Sequence, residues 1–186
     1  MKIQISQAGP EDYKRVRELR LSALKDSPNS FGAKYEVLKE RPDNYWQQVL
    51  KASSWCLVSI DGVDIGLLAV DRADKDRNSD CWLSGWWITP THRGQGVSKL
   101  MAQWVYELCR KNGWQKIGLG VWPDNKNAIA VYLKLGFELA ETLMPSRSIP
   151  GLMYQPMYKS IGGDSKRVSV KLNHTSPIKV SQIKVI

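Results

Sequence analysis

The stretch that most constrains the fold is a glycine-rich turn between an apolar run and a long helical pattern. The apolar run covers residues 82–88, and the turn follows it as ITPTHRGQGVSK over residues 88–99. Gly94 and Gly96 lack a Cβ, so an anion can approach the backbone closely there. The first amides of the following helix have no intrahelical partner and carry partial positive charge. The stretch therefore predicts a strand, a phosphate-binding loop beside Arg93, and a helix.

The loop alone leaves the kind of phosphate ligand open. A Walker-type loop ends in Gly-Lys-Ser or Gly-Lys-Thr, and neither occurs in this chain. A dinucleotide-binding fingerprint needs a third glycine, whose place is taken by Lys99, a second cation beside the loop. Asp124 nevertheless follows the next strand at about the distance of a ribose-binding acid. A plain surface turn is the remaining interpretation.

Hydropathy patterns along the rest of the chain predict alternating strands and helices. Apolar runs and period-two alternation predict strands, whereas apolar residues three and four apart predict helices. The Asp61-Gly62 pair predicts a hairpin. The predicted strands cover residues 2–7, 55–60, 63–70, 81–88, 116–121, 137–144 and 152–160; the predicted helices begin near Pro10 and Pro42 and cover residues 97–112 and 126–135.

Two motifs resemble those of the GNAT superfamily of acyl-CoA-dependent N-acetyltransferases. The loop RGQGVS at residues 93–98 is similar to the family pattern (Gln/Arg)-x-x-Gly-x-(Gly/Ala), with Ser98 in place of the last residue. Downstream, NKNAIAVYLKLGF at residues 125–137 is similar to Asn-x-x-Ala-x-x-x-Tyr-x-x-x-Gly-Phe. Two motifs in this order are more specific than either one, and the resemblance covers about residues 2–158.

The resemblance implies an α/β fold with a central mixed sheet flanked by helices. In that fold the sheet splays open between the two strands that end here near Ile88 and Val121, and the cofactor enters the split. Residues 1–160 are therefore expected to form one acetyltransferase domain. Residues 161–186 lie outside the resemblance and are expected to form a tail, with short strands at 167–172 and 178–186 as the alternative.

The resemblance also implies an acetyl-CoA site around the glycine-rich loop. The loop would hold the diphosphate, and the backbone of the preceding strand would pair with the pantetheine arm and polarise the thioester near Ile88. Asn125 matches the cofactor-contacting Asn of the family; its alternative role is a helix N-cap, and the two roles are compatible. The expected cofactor residues are Trp86, Trp87, Ile88, Arg93, Gly94, Gln95, Gly96, Val97, Ser98, Lys99 and Asn125.

Tyr132 occupies the general-acid position of the family. A phenol with a pKa of about 10 is protonated at neutral pH and can donate to a leaving thiolate. The general base is harder to assign, because relatives place a Glu on either of two strands where this chain has Trp82 and Gly120. The remaining candidates are Asp71, Asp80, Asp124 and Glu36, and water or an amine of low pKa can make a base unnecessary.

Aromatic residues near the expected split are candidates for the acceptor site. They are Phe31 between the first two helices, Trp82 on the strand before the loop, and Trp122 after the next strand. Strand alternation sends Trp82 and Trp86 to one face of the sheet and Trp87 to the other. Core packing is the alternative explanation for each of these aromatic residues.

Composition limits the other classes of function. The chain has 186 residues, a net charge of +9, three cysteines and two histidines. The cysteines lie in apolar stretches without metal-ligand spacing, which is typical of reduced thiols in the cytoplasm, and no metal site is expected. No apolar run is long enough for a membrane span. Clustered basic residues with interleaved aromatics are missing, so a nucleic-acid partner is not favoured.

The sequence therefore predicts an N-acetyltransferase that transfers an acetyl group from acetyl-CoA to a primary amine by direct attack on the thioester. A small-molecule amine is slightly favoured over a protein amino group. Two alternatives stay open: a non-catalytic acyl-CoA-binding regulatory module, and an acetyltransferase of aminoacyl-tRNA. Many relatives dimerise, so a homodimer is compatible with the resemblance, although no exposed apolar stripe predicts one.

Overall fold

A mixed sheet of nine strands organises the molecule, and the computed structural model describes residues 2–161 and 178–179 of it. The strands are β1 Lys2–Gln7, β2 Ser54–Ile60, β3 Val63–Arg72, β4 Cys81–Ile88, β5 Lys116–Val121, β6 Glu138–Leu139, β7 Met144–Pro145, β8 Met153–Ser160 and β9 Ile178–Lys179. The helices are α1 Tyr13–Asp26, α2 Tyr35–Leu38, α3 Asp43–Ala52, α4 Val97–Asn112 and α5 Lys126–Lys134. The predicted mixed α/β architecture is confirmed.

The strand order is β6-β8-β5-β4-β3-β2-β1-β9, and β7 also pairs with β8. Every pair is antiparallel except β4 and β5, which run parallel. A parallel pair needs a crossover connection, and α4 supplies it. This arrangement places the glycine-rich turn at the carboxyl end of β4, directly before the helix.

Helices cover both faces of the sheet. On the first face, which we call the α4 face, Met101 and Val105 of α4 pack against the strands, and Tyr132 of α5 lies at the edge of this core. On the second, the α1 face, Val16 and Leu19 of α1 pack against the opposite side of β2, β3 and β4. The split that is described below lies in the sheet itself, which these two helical layers cover. No helix in residues 2–161 is both long enough and apolar enough to cross a membrane.

Strand β4 contains a bulge that changes which way its tryptophans point. Ala69 pairs with Ser84, but Leu67 pairs with Trp87, so β4 carries one extra residue between these pairs. Gly85 accommodates the bulge with a φ of +60°. As a result, Trp87 packs on the α1 face and Trp86 packs on the α4 face.

The predicted arrangement of the tryptophans is therefore wrong. Trp82 pairs with Asp71, two residues along β3 from Ala69, and so it lies on the α1 face together with Trp87. Trp86 lies on the other face, because the extra residue at Gly85 inverts the alternation that a regular strand would have.

The prediction of one strand over residues 137–144 is also wrong, because the segment forms two short strands with a loop between them. Leu139 pairs with Met157 in β6, whereas Met144 pairs with Tyr154 in β7, so two additional residues loop out between them. The cause is Pro156 of β8, which accepts a bond from the Ala140 amide but has no N–H to return. The short helix α2 is a further element that the sequence patterns did not predict.

Most of the expected tail lies outside the described residues. The strand considered for residues 167–172 lies there, and so does most of the segment 178–186. Within that segment Ile178–Lys179 forms β9, which pairs antiparallel with Lys2 and Ile3 of β1.

Candidate active site

The sheet opens at one place, between the carboxyl ends of β4 and β5. The two strands pair only at Cys81, Trp82 and Leu83 of β4 and then diverge. A cleft of about 640 Å³ occupies the opening, within the range of small-molecule binding sites. Its walls come from both strands, the glycine-rich loop, α5 and the connection between α1 and α2.

The β4 edge of the cleft carries backbone groups without a strand partner. The Thr89 amide donates to the Ile65 carbonyl of β3 at 2.8 Å. Since successive amides alternate in direction along extended backbone, the N–H of Ile88 points the other way, into the split. The Ile88 carbonyl accepts from Nε of Arg93 at 3.0 Å. An extended ligand in the split can therefore pair with this edge as an added strand would.

The glycine-rich loop leaves room for an anion at the mouth of the cleft. Gly94 and Gly96 have φ values of +74° and +81°, and a Cβ built on either one meets nothing within 4 Å. Gln95 stabilises the loop by donating to the Thr91 carbonyl at 2.8 Å. Because Gly96 is the N-cap of α4 and has no side chain, no cap competes for the first amides of the helix. The loop therefore suits the diphosphate of a coenzyme.

Arg93 is not a free cation beside the loop, because it forms an ion pair with Asp26 at the end of α1. Asp26 also accepts from the indole of Trp87 at 2.8 Å and from the Ser27 hydroxyl at 2.7 Å. Burial alone would raise the pKa of Asp26, but these three donors outweigh it and hold the pKa below its ordinary value. One carboxylate thus joins α1, β4 and the loop.

Replacing Asp26 with asparagine should make stability less dependent on pH. The ionised carboxylate, whose pKa is lower in the folded state, contributes stability above the pKa of the unfolded chain, and this contribution is lost as the pH falls through the folded value. At pH 7 the variant should lose about 1 kcal/mol in urea unfolding, and the loss should shrink towards pH 3. An equal loss at both pH values would contradict the assignment. Asp76→Asn, at an exposed pair with Arg147, is the control and should change the urea midpoint less.

Tyr132 of α5 faces into the cleft from the α4 face. Its ring lies 5.6 Å from the Trp86 ring and 6.1 Å from the Phe137 ring, measured between centroids. Burial raises the pKa of Tyr132 to about 12, so the phenol is neutral over the whole physiological range. Within the described residues its hydroxyl has no hydrogen-bond partner, which leaves the proton free for a ligand.

Asn125 is the N-cap of α5, which was the alternative role predicted for it. Its Oδ1 accepts from the Ala128 amide at 3.2 Å and so caps α5. Its Nδ2 donates to the Ser30 hydroxyl at 3.2 Å, which joins α5 to the connection between α1 and α2. Asn125 and Ser30 both line the cleft, so this bond closes the cleft on one side.

The cleft brings together most of the residues that the sequence singled out. Its lining includes Phe31, Trp86, Trp87, Ile88, Arg93, Gly94, Val97, Ser98, Asn125 and Tyr132. The other candidates, Gln95, Gly96, Lys99, Trp82 and Trp122, are not in its lining. Trp82 packs instead against Tyr154 of β8 and beneath the guanidinium of Arg77.

None of the four candidate bases lines the cleft. Asp80 accepts from the amides of Gln115 and Lys116, and Glu36 forms an ion pair with Lys39 on the exposed side of α2. Asp71 accepts from Ser53 at the far end of β3, and Asp124 precedes α5 outside the lining. Within the described residues, the titratable side chains of the lining are His92, Arg93, Tyr132 and Lys134.

The sequence patterns identified neither Asp26 nor Arg20 as part of the site. Asp26 is an acid at the end of a surface helix, and its partners are distant in sequence, so no local pattern marks it. Arg20 was recognisable in principle, because it stands four residues after Val16 and four before Leu24, on the buried stripe of α1. A charged side chain on such a stripe is the signal that indicates a special role.

Known proteins resemble the chain in sequence and in fold. The model of the acetyltransferase (GNAT) family matches residues 17–137. The L-amino acid N-acetyltransferase AaaT of Escherichia coli (strain K12) is 27% identical over 146 residues, which is 75% of this chain and 85% of that protein. The protein yncA of Salmonella typhimurium, solved with its cofactor acetyl-CoA, has a TM-score of 0.68 at 15% identity and covers 90% of this chain and 98% of its own. A ribosomal-protein-alanine N-acetyltransferase from Brucella melitensis has a TM-score of 0.67 at 17% identity, and the match covers 85% of this chain and 99% of that chain.

Proposed function

The chain belongs to the acetyltransferase (GNAT) family, and on that basis we propose that it transfers the acetyl group of acetyl-CoA to the primary amine of a small molecule. The observation that carries this proposal is the split between β4 and β5. It combines an unpaired strand edge, an open glycine-rich loop and a neutral phenol in one cleft. An enzyme needs these groups to bind an acyl-CoA and to protonate the CoA thiolate that leaves.

The proposed reaction is a direct attack on the thioester. The amine nitrogen forms a bond to the carbonyl carbon, and the bond from that carbon to sulfur breaks. The Ile88 amide, which points into the split, stabilises the charge that develops on the carbonyl oxygen. The leaving sulfur takes the proton of Tyr132, which solvent then replaces. Water is the proposed acceptor of the amine proton, since no carboxylate lines the cleft in the described part of the chain and the ring of His92 is held by the hydroxyls of Thr89 and Thr91.

A small acceptor is favoured by the way in which the cleft is closed. Ser30 and Phe31 stand across the opening, and the Asn125–Ser30 hydrogen bond joins two of its walls. A volume of about 640 Å³ that also takes the pantetheine arm leaves limited space for an acceptor. The relative AaaT is an L-amino acid N-acetyltransferase, which supports the same choice. A protein amino group or an aminoacyl-tRNA would need an open groove at this point.

A non-catalytic acyl-CoA-binding module is the second candidate, favoured by the absence of a carboxylate from the lining that residues 2–161 provide. The two candidates share the coenzyme site and differ only in turnover. A thiol-release assay with a panel of amines therefore separates them, since a binding module releases no more thiol with amines than without.

Ligand-dependent thermal unfolding tests the coenzyme site itself. Acetyl-CoA or CoA at 100 times its dissociation constant should stabilise the fold by about 2.7 kcal/mol, whereas NAD at the same concentration should leave the midpoint unchanged. A shift with NAD alone would favour the dinucleotide interpretation of the loop. No shift with any of these ligands would contradict the proposal.

We further propose a cytoplasmic location. The thiols of Cys81 and Cys109 are buried with their sulfurs 3.6 Å apart and are not joined in a disulfide. Close, reduced thiols are typical of proteins in a reducing compartment.

A homodimer stays an expectation from the family, and light scattering of the purified protein tests it.

A further inference from the structure

Arg20 is a half-buried cation that has no counter-ion among the described residues. It lies on the inner stripe of α1, and its Nη1 is shielded from solvent with no hydrogen-bond partner among the described residues. The other arginines of the helix are paired: Arg15 binds Asp12 and Asp64, and Arg17 binds Asp43. A buried charge is costly unless it is paired and hydrogen-bonded. The fold therefore leaves one strong donor unused at this point.

The guanidinium of Arg20 lies directly behind the wall of the cleft. Its Cζ is 4.6 Å from the centroid of the Phe31 ring, and Phe31 lines the cleft. On the other side, a Cβ built on Gly85 would lie 3.5 Å from Nη1 of Arg20. Gly85 also lines the cleft, so the wall between the cleft and the guanidinium carries no side chain there.

The orientation of these groups leaves the donors of Arg20 available. The Phe31 ring stacks on one face of the guanidinium. This contact uses the flat face of the guanidinium and leaves the N–H groups of Arg20 unused. The N–H groups of a guanidinium lie in its plane and form a fork that matches the two oxygens of a carboxylate. Burial lowers the pKa of Arg20 to about 10, which still leaves it protonated at neutral pH.

We infer that Arg20 binds a carboxylate of the acceptor, so that the acceptor is an amine that also bears a carboxylate. This inference rests on the proposed function, because it assigns the acceptor of that same reaction. At Gly85, which immediately precedes Trp86 on β4, no side chain stands between the cleft and Nη1 of Arg20. A carboxylate held there places the rest of the acceptor beside the free edge of β4, where the proposed reaction takes place. Arg20 acts as a specificity determinant and takes no part in bond making.

The test compares amino acids with their carboxyl-amide derivatives, which keep the amine and lose the negative charge. Wild-type protein should acetylate the free acids with a KM about tenfold lower than that of the amides. Arg20→Met should remove this difference, raising KM for the acids with little change in kcat for the amides. Arg17→Met, an arginine of the same helix outside the cleft, is the matched control and should keep the difference.

Binding without turnover gives a second readout. With CoA present, the free acids should raise the unfolding midpoint of the wild type further, and Arg20→Met should lose this additional shift while it keeps the shift that CoA causes. The fold of Arg20→Met is checked by its own midpoint, which should not fall, since the substitution removes an uncompensated buried charge.

Failure of the inference can be told apart from failure of the proposed function. If the wild type acetylates acids and amides equally well, or prefers amines bearing a phosphate or sulfonate, the inference is wrong and the proposed function stands. The comparison of acids with amides in the wild type needs no variant, so it remains decisive even if Arg20→Met does not fold. If the wild type acetylates no amine at all, the proposed function itself fails.

Discussion

Replacing Tyr132 with phenylalanine should lower kcat about 100-fold while the affinity for CoA stays nearly the same. Loss of a positioned general acid typically costs a factor of this size. The substitution removes only the phenolic oxygen, so the ring keeps its contacts with Trp86 and Phe137. Thiol release with a saturating acceptor measures kcat, and calorimetric titration with CoA measures affinity.

Tyr106→Phe is the matched control for this prediction. Tyr106 of α4 donates to the Leu135 carbonyl at 3.3 Å, and burial raises its pKa to about 12, as it does for Tyr132. Tyr106 is not in the lining of the cleft, so its variant should keep the wild-type kcat. Unchanged turnover in Tyr132→Phe would show that another group protonates the thiolate.

Replacing both Gly94 and Gly96 with alanine should weaken CoA binding about 100-fold, equivalent to about 2.7 kcal/mol. The added methyl groups meet no protein atom within 4 Å, so they project into the open space beside the loop, where the diphosphate is proposed to bind. Both positions also have positive φ, which disfavours alanine and costs stability by itself. Calorimetric titration of the folded variant separates the two effects.

The double variant Gly62→Ala and Gly151→Ala is the control for backbone strain. These glycines have φ values of +85° and +83°, and their Cβ positions are likewise open, but they lie in turns outside the cleft. Both double variants should therefore lose similar stability, whereas only the variant of the loop should lose affinity for CoA. A similar loss of affinity in the control would mean that strain, and not the proposed contact, explains the result.

Local patterns were sufficient to predict the elements that frame the site. The predicted bounds of β4, α4 and β5 agree with the structure, because each apolar run or stripe belongs to one element and ends at a glycine or a polar turn. Gly113 ends α4 in the left-handed conformation, as its place after a helical pattern predicts. The two family motifs then located the split between the right pair of strands.

The features that local patterns did not predict depend on pairing between distant segments. The bulge at Gly85 is a property of the register between β3 and β4, and within β4 only the isolated glycine indicates it. It determines which tryptophans share a face and brings Gly85 against Arg20. The interruption between β6 and β7 has a similar origin, since it follows from a proline on the neighbouring strand.

The position of the unpaired edge of β4 protects the protein from strand pairing with other chains. An open strand edge at the rim of a sheet is a template for another chain and a cause of aggregation. Here the unpaired groups from Ser84 onward lie in the interior of the sheet, between β4 and β5, and not at either rim. A whole strand of a second protein carries side chains on both faces. These side chains would collide with residues on the α4 face and on the α1 face before the strand reached this edge. The recess therefore selects slender extended ligands, and the backbone needs no charged or proline gatekeeper at this position.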